Sequence, residues 1–240
     1  MTDFLVYRPE VQRLAIVDDD RDTAELTAWQ VEEAGFEPVL YQGSSVANPT
    51  EVTQWIMGEA HGVICDHRLM GRGFANFYGA RVVNDVFGER KVPAILVTQY
   101  IDMDQDVSIR RWRRNVPVLL SRDEANAETI RSGIELCLRE LIGDVPTHRR
   151  SYRTLLRVED LGDESSERIM DVIIPSWNNH HAVRLPINLA PVKIHSSIVH
   201  GTWLAADVNI GAERAQDLFF ADLELAPEPT DEAFAGISDS

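Results

Sequence analysis

The chain of 240 residues has an ordinary globular composition, 44% hydrophobic, and a strongly acidic balance, with a formal net charge of −16 at pH 7. This composition argues against wholesale disorder, and the negative charge argues against nucleic-acid or anionic-membrane binding, because phosphate groups require a basic footprint. No apolar run approaches the length of a membrane span, which is about 20 residues. The first residues also lack the basic segment followed by an apolar segment that is typical of a signal peptide. The two cysteines, Cys65 and Cys137, are predicted to be buried reduced thiols, so the sequence predicts a cytoplasmic protein.

Short apolar runs alternate with helical patterns over residues 1–142. Five of these runs are predicted to be strands: Leu14–Val17, Pro38–Tyr41, Gly62–Asp66, Pro93–Thr98 and Val116–Leu120. One helix is predicted from about Asp22 to Ala34, and a second has Asn48 as its cap and Gly58 beyond its end. Near-continuous apolar strands between helices are typical of a parallel sheet covered on both faces. The first part is therefore predicted to be an α/β domain, a (βα)5 doubly wound parallel sheet.

After a predicted linker, residues 143–151, apolar residues tend to recur at every second position. Five further strands are predicted: Tyr152–Asp160, Arg168–Trp177, His181–Leu189, Gly201–Gly211 and Asp217–Leu225. They predict a small all-β barrel or sandwich domain over residues 152–227, with the oligomer-binding barrel as one candidate architecture. The acidic tail, residues 228–240, is predicted to be disordered. Residues 151–240 hold six Lys and Arg against 15 Asp and Glu, so this domain is expected to bind a protein rather than nucleic acid.

Acidic side chains lie at the carboxyl ends of two of the predicted strands. Asp18, Asp19 and Asp20 follow the first strand, Asp66 ends the third, and Thr98 ends the fourth. Because the carboxyl ends of parallel strands meet at one edge of the sheet, these residues are expected to lie close together. Three adjacent carboxylates are tolerable if a cation neutralises them, if one caps the next helix, or if all point into water. The first possibility predicts a divalent-cation site.

The segments LAIVDDD, GVICDHRL and AILVTQY resemble the first, third and fourth strands of the receiver domain of bacterial two-component response regulators. The resemblance covers about residues 13–142. It implies four ligands for Mg²⁺: Asp18, Asp19, Asp66 and the backbone carbonyl of Arg68. It also implies that Asp66 accepts phosphate from a histidine kinase or phosphotransfer protein, and that the Thr98 hydroxyl hydrogen-bonds the phosphoryl group. The chain is then an atypical response regulator of a phosphorelay, and not an enzyme, with an unknown protein as the target of its β domain.

The chain departs from the receiver pattern at three places. Receivers have a Lys after the fifth strand, where this chain has Ser121 and Arg122, so Arg122 is the candidate for the positive charge. Met70 stands where the family usually has Pro. The loop after Asp66 is longer than usual and carries Phe74, so it is expected to cover the site or to dock a partner. His67 is expected either to line the acidic pocket or to be solvated.

Two alternatives to phosphorylation remain open. The first is a degenerate receiver that acts as a protein-binding adaptor without being phosphorylated. The second is a phosphatase of the haloacid-dehalogenase type, because VDDDRDT also resembles the strand-end D-x-D of that family. In that case Asp18 would be the nucleophile and Asp20 the acid/base, with Thr98 as the second motif. The residues after the D-x-D, Arg21 and Asp22, depart from that family's pattern.

The stretch SIRRWRRN, residues 108–115, is the most basic part of the chain. It ends a predicted helix that begins near Asp102, and acids at the start and bases at the end complement a helix dipole. The stretch is interpreted as a solvated, stabilised helix end. Trp112 is a candidate contact for a partner, and the resemblance to receivers adds a possible homodimer through this face.

Overall fold

The structure is a computed structural model that describes residues 10–43, 45–99, 108–164 and 167–228. The predicted tail and the acidic start of the predicted helix near Asp102 therefore lie outside the described residues. The chain divides into two compact units. The described part of the first unit comprises residues up to 99 and residues 112–146, and that of the second comprises residues 108–111 and those from 147 onward. None of the helices described has the length and apolar character that crossing a membrane requires.

A parallel sheet of five strands forms the centre of the first unit, in the order β2-β1-β3-β4-β5. The strands are β1 (Arg13–Val17), β2 (Glu37–Leu40), β3 (Gly62–Asp66), β4 (Ala94–Thr98) and β5 (Val118–Ser121). Every residue of β3 and β4 is buried, which explains why these strands are apolar at consecutive positions rather than at alternate ones. The predicted α/β doubly wound fold is confirmed.

Four α-helices are described for the first unit, and three of them begin at a polar capping side chain. They are α1 (Arg21–Glu33), α2 (Pro49–Glu59), α3 (Gly79–Val83, continued by a π-helical turn over Asn84–Glu89) and α4 (Ala127–Leu141). The side chains of Asp20, Asn48 and Asn126 accept hydrogen bonds from the first N–H groups of α1, α2 and α4. The predicted end of α2 before Gly58 is wrong, because that glycine has no positive φ and the helix continues through it.

The order of the strands explains why distant residues meet at one edge. β1 pairs with β3, and β3 pairs with β4, all in parallel register. Val17 lies opposite Cys65, and Asp66 lies opposite Val97, so the carboxyl ends of these three central strands are adjacent. The loops that follow β1, β3 and β4 consequently leave the sheet side by side.

The second unit contains an antiparallel sheet in the order β10-β9-β6-β7-β8. Its strands are β6 (Tyr152–Glu164), β7 (Glu167–Ile174), β8 (Asn178–Pro186), β9 (Trp203–Val208) and β10 (Phe220–Leu225). All five predicted strands are present, and the predicted all-β second fold is confirmed. Alternate residues of β9 are buried, as the period-two pattern predicts. The domain limits predicted from the sequence stay a prediction.

Buried polar groups tie the loops of the second unit to its sheet. The side chain of Asn209, which is fully buried, donates to the carbonyls of His148 and Asp217 and accepts from the N–H of Phe219. Arg149, inside the predicted linker, is buried and lies over the ring of Phe219. These bonds satisfy backbone groups that burial would otherwise leave without partners.

The basic stretch at residues 108–115 is not the solvated helix end that the sequence predicts. Arg110 and Arg113 are only 3% and 4% exposed. The Arg110 guanidinium donates to the carbonyl oxygens of Ala215 and Leu218 at 2.6 and 3.0 Å, all within the second unit. In the first unit, Trp112 is half-buried under the guanidinium of Arg81. The prediction was wrong because a guanidinium can be buried where carbonyl oxygens satisfy its donors.

Candidate functional site

Three carboxylates converge at the carboxyl edge of the parallel sheet. Asp18, Asp19 and Asp66 each offer an oxygen, and these oxygens all lie within 4.8 Å of one another. Asp66 is the last residue of β3 and is 5% exposed, whereas Asp18 and Asp19 begin the loop after β1 and are half-buried. The arrangement follows from the pairing of β1 with β3, because each strand delivers its acidic residue to the same place.

Asp20 does not belong to this group, although it follows Asp19 directly. Its side-chain Oδ1 accepts a hydrogen bond from the backbone N–H of Thr23 at 3.0 Å and another from the Thr23 hydroxyl at 3.2 Å. This is the bond of a helix N-cap, so Asp20 begins α1. The capping possibility therefore holds for one residue of the acidic run, and the other two residues lie close to Asp66.

Each of the three carboxylates accepts a backbone N–H on one oxygen. Oδ1 of Asp18 accepts from the N–H of Asp20 at 2.9 Å, and Oδ2 of Asp66 accepts from the N–H of Arg68 at 2.8 Å. Oδ2 of Asp19 accepts from the N–H of Gly71. Such bonds fix the orientation of a carboxylate before any ligand is bound.

Arg122, which follows β5, reaches the group from the other side. Its Nη2 lies 2.6 Å from Oδ1 of Asp66 and 3.5 Å from Oδ2 of Asp18. Its backbone N–H donates to the carbonyl of Thr98 at 3.0 Å, and this bond holds the start of the loop against the end of β4. Arg122 therefore pairs with two of the three carboxylates, and one guanidinium does not neutralise three ionised carboxylates.

Burial and mutual repulsion disfavour the ionised forms of two of these acids. Burial, and then the charge of Asp18, raises the pKa of Asp66 to about 7, although Arg122 and the N–H of Arg68 oppose the shift. Burial likewise raises the pKa of Asp18 to about 6, opposed by its backbone hydrogen bond and by Arg122. A cation bound among these carboxylates would lower their pKa values, because its positive charge favours the ionised forms.

The donor set fits a hard divalent cation. Its three carboxylates supply only oxygen, which is the ligand that Mg²⁺ and Ca²⁺ prefer. The group is also open to solvent through two cavities of about 310 and 410 Å³, and Asp18 lines both of them. The first cavity also contains Asp66 and Arg122, and the second contains Asp19, Tyr41 and Phe74.

The other predicted residues lie around this group. Thr98 ends β4 and is 1% exposed. Arg68 directs its backbone N–H to Asp66; the predicted role of its carbonyl as a cation ligand stays a prediction. His67 is fully buried rather than solvated, because its ring stacks on Tyr78 with the centroids 4.8 Å apart. The contribution of Gly71 was not predicted, and its signal in the sequence is a segment after Asp66 that contains glycines at positions 71, 73 and 79.

The fold and the strand-end cluster define a doubly wound α/β unit with an acidic group at the carboxyl edge of its parallel sheet, in a chain that also contains an all-β unit. No protein-family model matches the chain, and no curated protein matches it. Solved structures similar to its N-terminal part include a response regulator receiver domain from Clostridium thermocellum, with 16% identity, TM-score 0.42 and coverage of 54% of this chain and 96% of that one. A CheY-like receiver domain protein from Methanospirillum hungatei JF-1 has 18% identity, TM-score 0.41 and coverage of 55% and 98%. A response regulator from Burkholderia pseudomallei, solved with a phosphorylated aspartic acid, calcium ion and citrate, has 15% identity, TM-score 0.40 and coverage of 55% and 72%.

Proposed function

We propose that the chain is an atypical response regulator in which Asp66 is phosphorylated with the help of Mg²⁺. The observation that supports this proposal is the convergence of Asp18, Asp19 and Asp66 at the end of a central parallel strand. Four ligands are assigned to the cation: the carboxylates of Asp18, Asp19 and Asp66 and the backbone carbonyl of Arg68. The phosphoryl donor is a histidine kinase or a phosphotransfer protein.

The chemistry requires that the negative charge of the site be neutralised. An oxygen of Asp66 attacks phosphorus, a new O–P bond forms, and the bond between phosphorus and the donor nitrogen breaks, with the electron pair leaving on the donor. When bound, the cation screens the repulsion between the anionic nucleophile and the phosphoryl oxygens. Arg122, already 2.6 Å from Asp66, then pairs with a phosphoryl oxygen in the role that a lysine has in receivers. The Thr98 hydroxyl hydrogen-bonds another oxygen and draws its loop inward, which is the switch.

The second unit is the output module in this proposal. It binds a protein target, and its acidic balance of six Lys and Arg against 15 Asp and Glu over residues 151–240 disfavours a nucleic acid. Phosphorylation of the first unit then changes the affinity of the chain for that target. In this scheme the protein transmits a signal and is not an enzyme.

One observation favours a second candidate, a non-phosphorylated adaptor. The ion pair between Arg122 and Asp66 gives the acidic group a cation of its own, supplied by the chain. If this pair persists when Mg²⁺ is added, Asp66 remains blocked and the first unit serves only as a docking module.

Beryllofluoride, which mimics a phosphoryl group on an aspartate, separates the two candidates. Addition of Mg²⁺ with beryllofluoride to the full chain is expected to raise its melting temperature and change its tryptophan fluorescence. Asp66→Asn is expected to abolish both changes, and Asp22→Asn, at an exposed acid on α1, is the matched control that keeps them. No response in the wild-type chain would favour the adaptor. Hydrolysis of a generic phosphomonoester that needs Asp18 but not Asp66 would instead indicate a phosphatase.

A further inference from the structure

Asp19 is held differently from the other two carboxylates of the cluster. Asp18 and Asp66 each accept a hydrogen bond from a backbone N–H two residues further along the chain. Asp19 instead accepts from the N–H of Gly71, which is 52 residues away in sequence. The orientation of Asp19 therefore depends on the loop between β3 and α3, whereas the turns that follow their own strands hold the other two.

This loop, residues 67–78 and called the β3–α3 loop below, is itself packed in place. Leu69 is fully buried and Phe74 is 6% exposed. The carbonyl of Phe74 accepts a hydrogen bond from the N–H of Val46 at 2.6 Å, and its ring meets that of Tyr41 edge to face with the centroids 5.7 Å apart. Buried anchors of this kind hold the Gly71 N–H at a defined position over the acidic group.

A side chain at position 71 would collide with Asp19. A Cβ atom on Gly71 would overlap Oδ2 of Asp19 and would lie 3.1 Å from its Cγ. Either the loop or the carboxylate would have to move, and either movement would change the hydrogen bond that orients Asp19. By contrast, a Cβ on Gly58, which is exposed on α2, meets nothing within 4 Å.

We propose that the β3–α3 loop is part of the cation site and that Gly71 is the positioning residue for Asp19. The inference rests on the proposed function for the identity of the ligand, a divalent cation. The Gly71 N–H holds one oxygen of Asp19 in place, so little conformational entropy of this carboxylate is lost when a cation binds. Since coupling between two events is reciprocal, the Gly71–Asp19 hydrogen bond strengthens cation binding and a bound cation strengthens this hydrogen bond.

The affinity for a cation tests whether Gly71 strengthens cation binding. The full chain is titrated with Mn²⁺ or Mg²⁺ in a calorimeter. Gly71→Ala is expected to bind the cation about 10-fold or more weakly than the wild-type chain, as for other groups that orient a metal ligand. Gly58→Ala is the matched control and is expected to bind like the wild type. Equal affinities for the two variants would overturn the proposal.

Hydrogen exchange tests whether a bound cation stabilises the β3–α3 loop. Amides of the β3–α3 loop are expected to exchange more slowly when Mg²⁺ is added to the wild-type chain, and to be insensitive to Mg²⁺ in Gly71→Ala. Faster exchange on addition of Mg²⁺ would mean that the cation and the loop compete for Asp19, contrary to the proposal.

A third measurement needs no cation and remains valid if Gly71→Ala does not fold. In EDTA, Asp19→Ala is expected to accelerate exchange in the β3–α3 loop, whereas Asp22→Ala, at an exposed acid three residues on, leaves it unchanged. Unchanged exchange in Asp19→Ala would refute the positioning role. If the wild-type chain binds no divalent cation, the proposed function fails separately, and the result in EDTA still decides whether Asp19 holds the loop.

Discussion

At the scale of single residues, the site places carboxylates where water solvates them poorly. Asp66 is 5% exposed and shares its surroundings with Asp18. An isolated buried charge is costly, and the structure reduces the cost with Arg122 and with one backbone N–H for each carboxylate. Arg122 thus has two roles in the proposed function: it neutralises Asp66 before phosphorylation and pairs with the phosphoryl group afterwards.

The raised pKa values predict how the stability of the cation-free protein depends on pH. Because the folded pKa values of Asp66 (about 7) and Asp18 (about 6) exceed the ordinary value of 3.8, the folded state holds more protons than the unfolded state between about pH 4 and 7. This contribution to stability is complete at the acidic end of that window and is lost as the pH rises towards 7. In EDTA, the wild-type chain is therefore expected to lose stability from pH 5 to pH 8 relative to Asp66→Asn. One unit of pKa difference corresponds to about 1.4 kcal/mol.

Urea unfolding of the wild-type chain and Asp66→Asn across this pH range measures the effect. Saturating Mg²⁺ is expected to remove most of the pH dependence, because it stabilises the ionised carboxylates. Arg122→Gln is expected to shift the loss of stability to higher pH, since Arg122 lowers the pKa values of both Asp18 and Asp66. Parallel pH profiles for the wild-type chain and Asp66→Asn would contradict the assignment.

At the scale of elements, the beginning of α1 decides what each residue of the acidic run does. β1 ends at Val17 and α1 begins at Arg21, so only three residues connect them. The last of these, Asp20, must cap the helix, and the first two remain at the edge of the sheet. A shorter or longer turn would assign different residues to the cap and to the cluster.

Capping by Asp20 predicts a specific loss of stability. Asp20→Ala is expected to lower the free energy of unfolding by about 1 kcal/mol, the usual contribution of such a cap. Asp20→Asn is expected to retain most of it, because an asparagine side chain caps about as well. Urea unfolding of the two variants measures the difference. An equal loss in both would show that the charge of Asp20, and not its capping bond, stabilises the chain.

At the scale of the whole molecule, the second unit draws on residues from two parts of the sequence. Residues 108–111 belong to it, together with the residues from 147 onward. Within the unit, Arg110 donates to two carbonyls and lies 5.9 Å over the ring of Phe220. The predicted strands of the C-terminal half therefore do not include every part of this unit, because residues 108–111 precede them in the sequence.

Arg110 is expected to stabilise the second unit. Arg110→Ala removes the donor to the carbonyls of Ala215 and of the buried Leu218, which is expected to cost about 1–3 kcal/mol. Arg114→Ala, at an exposed arginine of the same stretch, is the control and is expected to change stability by less than about 0.5 kcal/mol. Hydrogen exchange of the β10 amides measures the free energy of unfolding of this strand in both variants. Unchanged protection in Arg110→Ala would show that the guanidinium is not needed.

The sequence by itself determined the two folds and the acidic edge. The buried parallel strands β3 and β4 are apolar at nearly every position, and burial alternates along β9 of the second sheet, so both patterns are readable along the chain. Asp18, Asp19 and Asp66 were predictable as neighbours because the carboxyl ends of adjacent parallel strands meet wherever such a sheet forms.

Only the tertiary structure decided the contacts between residues that no local pattern connects. The bond from Gly71 to Asp19, the burial of His67 against Tyr78 and the burial of Arg110 depend on where loops and turns come to lie. Their sequence neighbours carry no periodic signal, and a glycine, a histidine or an arginine suits an exposed loop equally well. Strand periodicity records which face is buried, whereas a hydrogen bond across 52 residues is set by the packing of everything between its partners.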